Sequence, residues 1–173
     1  MAPGAAVSGR GLGLEAWIKA QLAHPGVSHW KKLHAETRGS RGKLLPTGTA
    51  PPDFLIILRD GPALYLEAKE GADPRFGLAR IEEHQARDLD ALPGSVVVIR
   101  FLAVPRSTTV VVPWAALSRR WHEHHDSRQR AIKGTASLSP AEARALGVDV
   151  SGACGLVEAL RQLAKDERRR GAA

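Results

Sequence analysis

Residues 52–69 read PDFLIILRDGPALYLEAK, and this stretch organises the rest of the chain. It contains two apolar runs, at 54–58 and 63–67, with an Arg-Asp-Gly-Pro segment between them. An Asp-Gly step between two apolar runs predicts a β-hairpin. Because side chains alternate between the faces of a strand, Glu67 and Lys69 should share one face, roughly 7 Å apart.

This hairpin carries a candidate metal site. Asp53 stands at the start of the first predicted strand, where the chain reversal brings its carboxylate near Glu67. Two neighbouring carboxylates repel each other unless a cation lies between them. Magnesium is the expected cation, because it binds one or two carboxylates and keeps several waters, and the Ala68 carbonyl would offer a third oxygen. Lys69 would orient the attacking water or neutralise charge on a phosphate. The pattern predicts a magnesium-dependent phosphodiester hydrolase, although the spacing alone fits a solvated Glu-x-Lys strand face equally well.

A helix downstream adds a polar residue to the predicted site. Leu78, Ile81, Leu89 and Leu92 recur at helical spacing, and Gln85 occupies the same stripe. A buried amide needs hydrogen-bond partners. Gln85 would find them at a metal-bound water or a ligand carboxylate, or, in the alternative, at the backbone.

An acid near the N-terminus is the next candidate. In the predicted helix over 12–22, Glu15 aligns with the apolar residues Ile18 and Leu22. An acid in the first turn complements the helix dipole, and Glu15 would equally serve as a third carboxylate at the site.

Four separated pieces of sequence, which span about residues 8–112, form an ordered set. In order they are Arg10-Gly11 with Leu14-Glu15, His29-Trp30-Lys31-Lys32, Pro52-Asp53 with Glu67-Ala68-Lys69-Glu70, and Phe76-Gly77-Leu78 leading to His84-Gln85. Together they resemble the RecU-type Holliday junction resolvases of the PD-(D/E)XK nuclease superfamily. The archaeal Holliday junction resolvases, with a helical glutamate and a similar hairpin, are a second resemblance.

The resemblance implies an α/β fold with a restriction-endonuclease-like core, in which helices flank a mixed central β-sheet. It implies Asp53 and Glu67 as metal ligands, Gln85 as a further ligand, Lys69 as transition-state stabiliser and Glu15 as an active-site acid. The cofactor would be Mg²⁺, and Mn²⁺ accepts the same carboxylate and water ligands.

One position departs from the family pattern. The family has a threonine two residues before the aspartate, where this chain has Pro51. Proline has no side-chain oxygen, and Thr49 would replace it only if the loop bends.

The implied reaction is the resolution of four-way DNA junctions by paired nicks, which a homodimer with two identical sites would perform. The charge agrees with a nucleic-acid partner, since 25 Lys and Arg against 18 Asp and Glu give +7 and a pI near 10.2. In RecU-type enzymes a stalk precedes the catalytic aspartate, and residues 35–50 resemble it. An ordinary solvated loop is the alternative. The predicted DNA-binding residues are Arg10, Lys31, Lys32, Arg38, Ser40, Arg41 and Lys43.

A chain of 173 residues with 43% hydrophobic content predicts one domain, 1–173. Its nuclease core would cover about 8–112, with further strands at 95–104 and 108–112, and a helical extension would cover about 113–173. Trp114, Leu117 and Trp121 should face the core or a dimer partner. The extension should include a helix that starts at the Ser139 cap and a last helix over 154–170. The cluster His122 to Asp126 is disfavoured as a zinc site, because adjacent helical histidines point apart.

The remaining features exclude several classes of protein. A single cysteine, Cys154, excludes an intrachain disulfide and fits a reducing compartment. The first residues lack the apolar core of a secretory signal, and no stretch predicts a membrane span. No nucleotide-binding loop is evident, so no nucleotide cofactor is expected. We therefore expect a cytoplasmic protein, in a bacterium or in the bacterial host of a virus. The alternatives are a PD-(D/E)XK endonuclease acting on flaps, ends or specific sites, and a catalytically silent DNA-binding protein.

Overall fold

A computed structural model of the protein describes residues 13–33, 37–40, 43–46, 51–102, 107–129, 137–152 and 154–171. The helices in these ranges are α1 Leu14–Leu22, α2 Glu83–Ala91, α3 Trp114–Gln129, α4 Pro140–Leu146 and α5 Leu156–Gly171, with a 3-10 helix at Leu78–Arg80. The strands are β1 Val27–Lys32, β2 Thr37–Ser40, β3 Lys43–Pro46, β4 Phe54–Leu58, β5 Ala63–Gly71, β6 Phe76–Gly77, β7 Ser95–Phe101, β8 Thr108–Pro113, β9 Ser137–Leu138 and β10 Val148–Asp149. None of these helices is long and apolar enough to span a lipid bilayer.

The centre of the fold is a six-stranded mixed sheet with the order β1-β4-β5-β7-β8-β10. Strands β5 and β7 are parallel and every other neighbouring pair is antiparallel. The predicted hairpin is confirmed as β4 and β5, paired from Phe54–Leu66 to Ile57–Ala63. The chain is therefore an α/β protein with a mixed central sheet, as predicted.

Helices cover both faces of this sheet, which is why β7 is buried along its whole length. Val96 and Val98 pack with α1 and α5, whereas Val97 and Ile99 pack with α2 and α3. This alternation follows from the two-residue period of a strand. On β5, Leu64 and Leu66 face α1, so the odd-numbered residues of that strand face α2.

The helix predicted across 78–92 is shorter than expected. Leu78 lies in the 3-10 helix, Ile81 is extended, and α2 begins at Glu83. Both 3-10 and α-helices place residues three apart on nearly the same side, so the spacing of Leu78 and Ile81 did not distinguish them. The strand predicted over 95–104 is described to Phe101, and the last helix begins two residues later than predicted, at Leu156.

The segment after Pro113 is more than the predicted helical extension. Its strand β10 pairs with β8 and forms one edge of the central sheet, while β9 pairs with β6. Leu156 and Leu160 of α5 are completely buried against the α1 face. The predicted face of Trp114, Leu117 and Trp121 lies in the core beside α2. The predicted helix start is confirmed, with Ser139 capping α4.

Candidate functional site

The site begins where the β4–β5 ladder ends. The last pair is Phe54 with Leu66, and Pro52 lacks the N–H that a longer ladder would use. Beyond this point the Asp53 carboxylate accepts a hydrogen bond from the Ala68 N–H, at 2.8 Å. The Asp53 carbonyl accepts from the Leu33 N–H on the other side, also at 2.8 Å. Asp53 is thereby fixed between β1 and β5, with its carboxylate next to the Glu67 position.

Three side chains close a hydrogen-bonded triangle beside Asp53. Lys69 Nζ lies 2.8 Å from Glu67 Oε1 and donates to Gln85 Oε1, also at 2.8 Å. Gln85 Nε2 donates to Glu67 Oε1 at 2.7 Å. The Glu67 side chain is 3% exposed and the Lys69 side chain 16% exposed. The structure therefore brings together the predicted residues of the hairpin and of α2.

Gln85 is held from the helix as well as from the sheet. It is the third residue of α2, and its Oε1 also accepts from the Glu82 N–H at 3.1 Å, completing a capping box. The amide therefore has both of the predicted kinds of hydrogen-bond partner, a carboxylate at Glu67 and the backbone at Glu82. Its oxygen faces Lys69 and the helix start, so direct metal ligation by Gln85 stays a prediction.

Burial dominates the electrostatics of the two carboxylates. Burial raises the pKa of Asp53, and the Glu15 charge raises it further, against the opposing effects of the Ala68 N–H and Lys69. Burial also raises the pKa of Glu67, where Lys69 opposes it and the Asp53 charge adds to it. Both carboxylates are therefore costly to ionise in the metal-free site, because burial removes water and each acid repels the other, and a cation bound between them would offset that cost.

The acid Glu15 approaches from the opposite face of the sheet. It forms an ion pair with Lys32, which lies opposite Phe54 on the α1 side of β1. The Glu15 charge raises the pKa of Asp53 and the Lys32 charge lowers it, while the contact that the structure shows for Glu15 is the one with Lys32. Lys32 was predicted to bind DNA, and that role stays a prediction; in the structure it pairs with Glu15, and its side chain is 26% exposed.

The other predicted DNA-binding residues fall into three groups. Lys31 is exposed on β1. Arg38, Ser40 and Lys43 belong to β2 and β3, which form a two-stranded antiparallel sheet within the predicted stalk. Arg10 and Arg41 lie outside the described residues, and so does Thr49, the candidate substitute for the family threonine at the metal site. Pro51 is described and half-buried, and it adds no side-chain oxygen to the site.

The donor set fits a hard divalent cation with an incomplete protein shell. Within the described ranges, no three His, Cys, Asp or Glu side chains converge on a common point. Two carboxylates with water completing the shell are a normal arrangement for Mg²⁺. The histidine cluster contributes nothing here, since His122 contacts Asp90 at 3.1 Å and His125 stacks on Trp121 at 5.0 Å.

Arg100 is a residue that the sequence reasoning missed. Its side chain is 5% exposed, its Nη1 lies 3.4 Å from Glu70 Oε2, and its guanidinium lies 5.1 Å from the Trp17 ring centroid. Burial lowers its pKa, and the Glu70 charge opposes that change. It ties α1 to the strand that carries Glu67 and Lys69. The signal was available, since Arg100 interrupts an apolar run that predicts a central strand.

A groove of about 750 Å³ lies away from this site, near the starts of β5 and β7. Leu64, Val96, Trp114 and Leu163 are among the residues that line it, and none of the predicted catalytic residues does. The predicted catalytic residues lie at the other end of these parallel strands.

Comparison of the chain with protein-family models and with curated proteins gave no match.

Proposed function

We propose that this protein is a magnesium-dependent endodeoxyribonuclease that resolves four-way DNA junctions and has a restriction-endonuclease-like core. The observation that carries the proposal is the position of Asp53 and Glu67 at the end of the β4–β5 ladder, with Lys69 in hydrogen-bond contact. The ordered motifs add the resemblance to RecU-type resolvases. The alternative of a solvated Glu-x-Lys strand face does not agree with the burial of Glu67, whose side chain is 3% exposed.

In the proposed reaction, Asp53 and Glu67 hold the magnesium ion. Bound there, the ion would polarise the scissile phosphate and lower the pKa of a water. Lys69 places an ammonium beside the same carboxylates, where it stabilises negative charge as the phosphate is attacked. Gln85 keeps Glu67 and Lys69 in one geometry, because its amide contacts both. Glu15 would add negative charge near Asp53, although its partner Lys32 opposes its effect on the pKa of Asp53.

The proposed DNA path runs from β1 to the β2–β3 hairpin. Lys31 is exposed on β1, and Arg38 and Lys43 lie on the hairpin strands. Contacts of this kind go mainly to phosphates, so junction affinity should fall steeply with salt. A four-way junction must be cut twice, and a symmetric homodimer would present two such sites.

Cleavage of synthetic DNA substrates in MgCl₂ tests the proposal. Four-way junctions, flaps and linear duplex of the same sequence are incubated with the full chain, with Asp53→Asn and with Glu123→Gln as a matched control. Glu123 is exposed and pairs with Arg119 on α3, outside the proposed site. We expect paired nicks in the junction from wild type and Glu123→Gln, and binding without cleavage from Asp53→Asn.

Other outcomes select the alternatives. Equal cutting of linear duplex would replace the resolvase assignment with a less selective nuclease. If wild type binds junctions but does not cut them in Mg²⁺ or Mn²⁺, the protein would be assigned as a catalytically silent DNA-binding protein. Unchanged cleavage by Asp53→Asn would refute the metal assignment.

A further inference from the structure

Lys69 has a second role in the structure besides the one that the motif implies. We propose that its ammonium is the resident cation of the metal-free site, and that a divalent metal ion must displace it from Glu67 and Gln85. This inference rests on the proposed function, because it concerns how the same site is loaded. It makes metal binding and the release of Lys69 one coupled step.

The contacts of Lys69 show how fully it is engaged. One ammonium makes two contacts of 2.8 Å, to Glu67 Oε1 and to Gln85 Oε1. Glu67 Oε1 also accepts from Gln85 Nε2 at 2.7 Å, so the three groups close a ring. An ammonium has three N–H donors, and two of them are used inside this ring. In this arrangement Lys69 points its charge at the glutamate and the amide.

The charges around the ring explain why a cation is held there. Asp53 and Glu67 are two carboxylates at a half-buried strand end, and Lys69 is the ammonium in direct contact with one of them. The nearby Lys32 is already paired with Glu15. Without the Lys69 ammonium, the negative charges of the two acids would be neutralised only weakly by the groups that remain. A divalent ion between them would therefore compete with Lys69 for Glu67.

Displacement of Lys69 would change the site in two ways. The ammonium would regain donors that can reach a phosphate oxygen held by the same metal. Gln85 Oε1 would lose one of the two donors that it now accepts, which are Lys69 and the Glu82 N–H. The amide oxygen would then be available to the metal, and this accounts for the ligand role that the family resemblance implies. Lys69 would contact phosphate only after the ion has entered.

Metal affinity measured without DNA tests this competition. Calcium and manganese are titrated calorimetrically into the intact protein at pH 8, for wild type, Lys69→Met, Lys69→Arg and the matched control Lys165→Met. Lys165 is exposed on α5. We expect Lys69→Met to bind each ion at least about tenfold more tightly, because a positive charge a few ångströms from the ion has been removed. Lys69→Arg and Lys165→Met should stay within about twofold of wild type, and adding Asp53→Asn should abolish binding in every background.

The failures of the two proposals are distinguishable. Equal or weaker metal binding by Lys69→Met, with wild type still binding metal and cutting junctions, would overturn the displacement model and leave the nuclease proposal intact. The absence of metal binding and cleavage in wild type would overturn both.

A second measurement avoids any folding defect in the variants. Wild type is acetylated briefly with and without CaCl₂, and each lysine is quantified by mass spectrometry. We expect calcium to increase acetylation of Lys69 severalfold and to leave Lys165 unchanged. Equal or lower labelling of Lys69 in calcium would contradict its displacement.

Discussion

Two glutamates in this molecule sit in dense hydrogen-bond networks, yet their electrostatic situations are opposite. Glu142, at the start of α4, accepts from the Ser139 N–H at 2.7 Å, from Arg75 at 2.9 Å and from Arg120 at 2.8 Å. The Ser139 backbone contact, followed by the Arg120 and Ser139 side-chain contacts, lowers the pKa of Glu142 to about 2. Its side chain is 37% exposed, whereas that of Glu67 is 3% exposed.

The difference separates a structural carboxylate from a candidate ligand. Glu142 has two arginines and a helix start to neutralise it, so it gains nothing from a further cation. Glu67 has one ammonium and a second acid beside it, and burial raises its pKa in spite of Lys69. A count of hydrogen bonds would have grouped the two residues together. The balance of burial against positive charge distinguishes them.

The largest expected effect is on catalysis. Glu67→Gln should reduce magnesium-dependent junction cleavage by at least about 10²–10³-fold, because the variant would lose the charged ligand that the proposed function assigns to Glu67, worth several kcal/mol in the transition state. Glu142→Gln should cut junctions at a rate within about twofold of wild type, at a temperature where it is fully folded. Single-turnover cleavage of a labelled junction measures both. Similar losses of cleavage rate in Glu67→Gln and Glu142→Gln would contradict the distinction between a candidate ligand and a structural carboxylate.

The next largest effect is the increase in the free energy of unfolding that bound magnesium should cause. Magnesium at about 100 times its dissociation constant should raise the free energy of unfolding by about 2.7 kcal/mol, since the site exists only in the folded state. Urea unfolding with and without MgCl₂ measures this increment. Glu142→Gln should keep it and Asp53→Asn should lose it. An increment that survives in Asp53→Asn would locate the ion elsewhere.

A smaller effect is expected on stability near the Glu142 cluster. Glu142→Gln should lower the free energy of unfolding at pH 7 by about 1 kcal/mol, because it removes the charge from two arginine contacts. Folding lowers the pKa of Glu142, so its contribution is full above the ordinary glutamate range and is lost as the pH falls towards about 2. The difference between the variant and wild type in urea unfolding should shrink over that interval. Glu123→Gln, at an exposed pair, should cost less than about 0.5 kcal/mol.

The smallest effect concerns the metal-free site. Asp53→Asn should stabilise the metal-free protein at pH 7 by up to about 1 kcal/mol, because folding raises the pKa of Asp53 and its ionised form is unfavourable there. Asparagine keeps an oxygen for the Ala68 N–H. As the pH falls through the raised pKa, wild type becomes protonated and the advantage of the variant should vanish. Chelator-treated protein in urea at several pH values measures it, and a destabilised variant at pH 7 would contradict the balance of charge described above.

Local patterns explain why the β4–β5 hairpin and the Ser139 cap were predictable. The hairpin is specified by two apolar runs and an Asp-Gly step, and the cap by Ser139 with Glu142 three residues later. Both signals act within a few residues. The shared face of Glu67 and Lys69 followed from strand alternation alone, and it is confirmed by their 2.8 Å contact.

Contacts between distant residues explain what the sequence did not predict. The Glu15–Lys32 ion pair joins a helix to a strand 17 residues away, and no periodic pattern encodes it. The two-residue strands β9 and β10 are too short to have a period, and they form because β6 and β8 offer them edges. The position of Gln85 between Lys69 and Glu67 depends on where α2 starts. The apolar spacing from Leu78 onward predicted that start too early, since α2 begins at Glu83.

The β4–β5 ladder has a consequence for how such a chain can change during evolution. Asp53 and Glu67 lie directly beyond the last ladder pair, Phe54 with Leu66, on their two strands. Because side chains alternate between the faces of a strand, the two acids share one face only while the number of residues in each strand is unchanged. One residue inserted within β5 ahead of Glu67 would turn Glu67 and Lys69 towards the α1 face, and one inserted within β4 would turn Asp53 away from them. Extra residues at Arg59 to Pro62 could loop out of the ladder and leave that count intact. Related sequences should therefore vary in length at this distant turn and stay constant between Leu64 and Glu67.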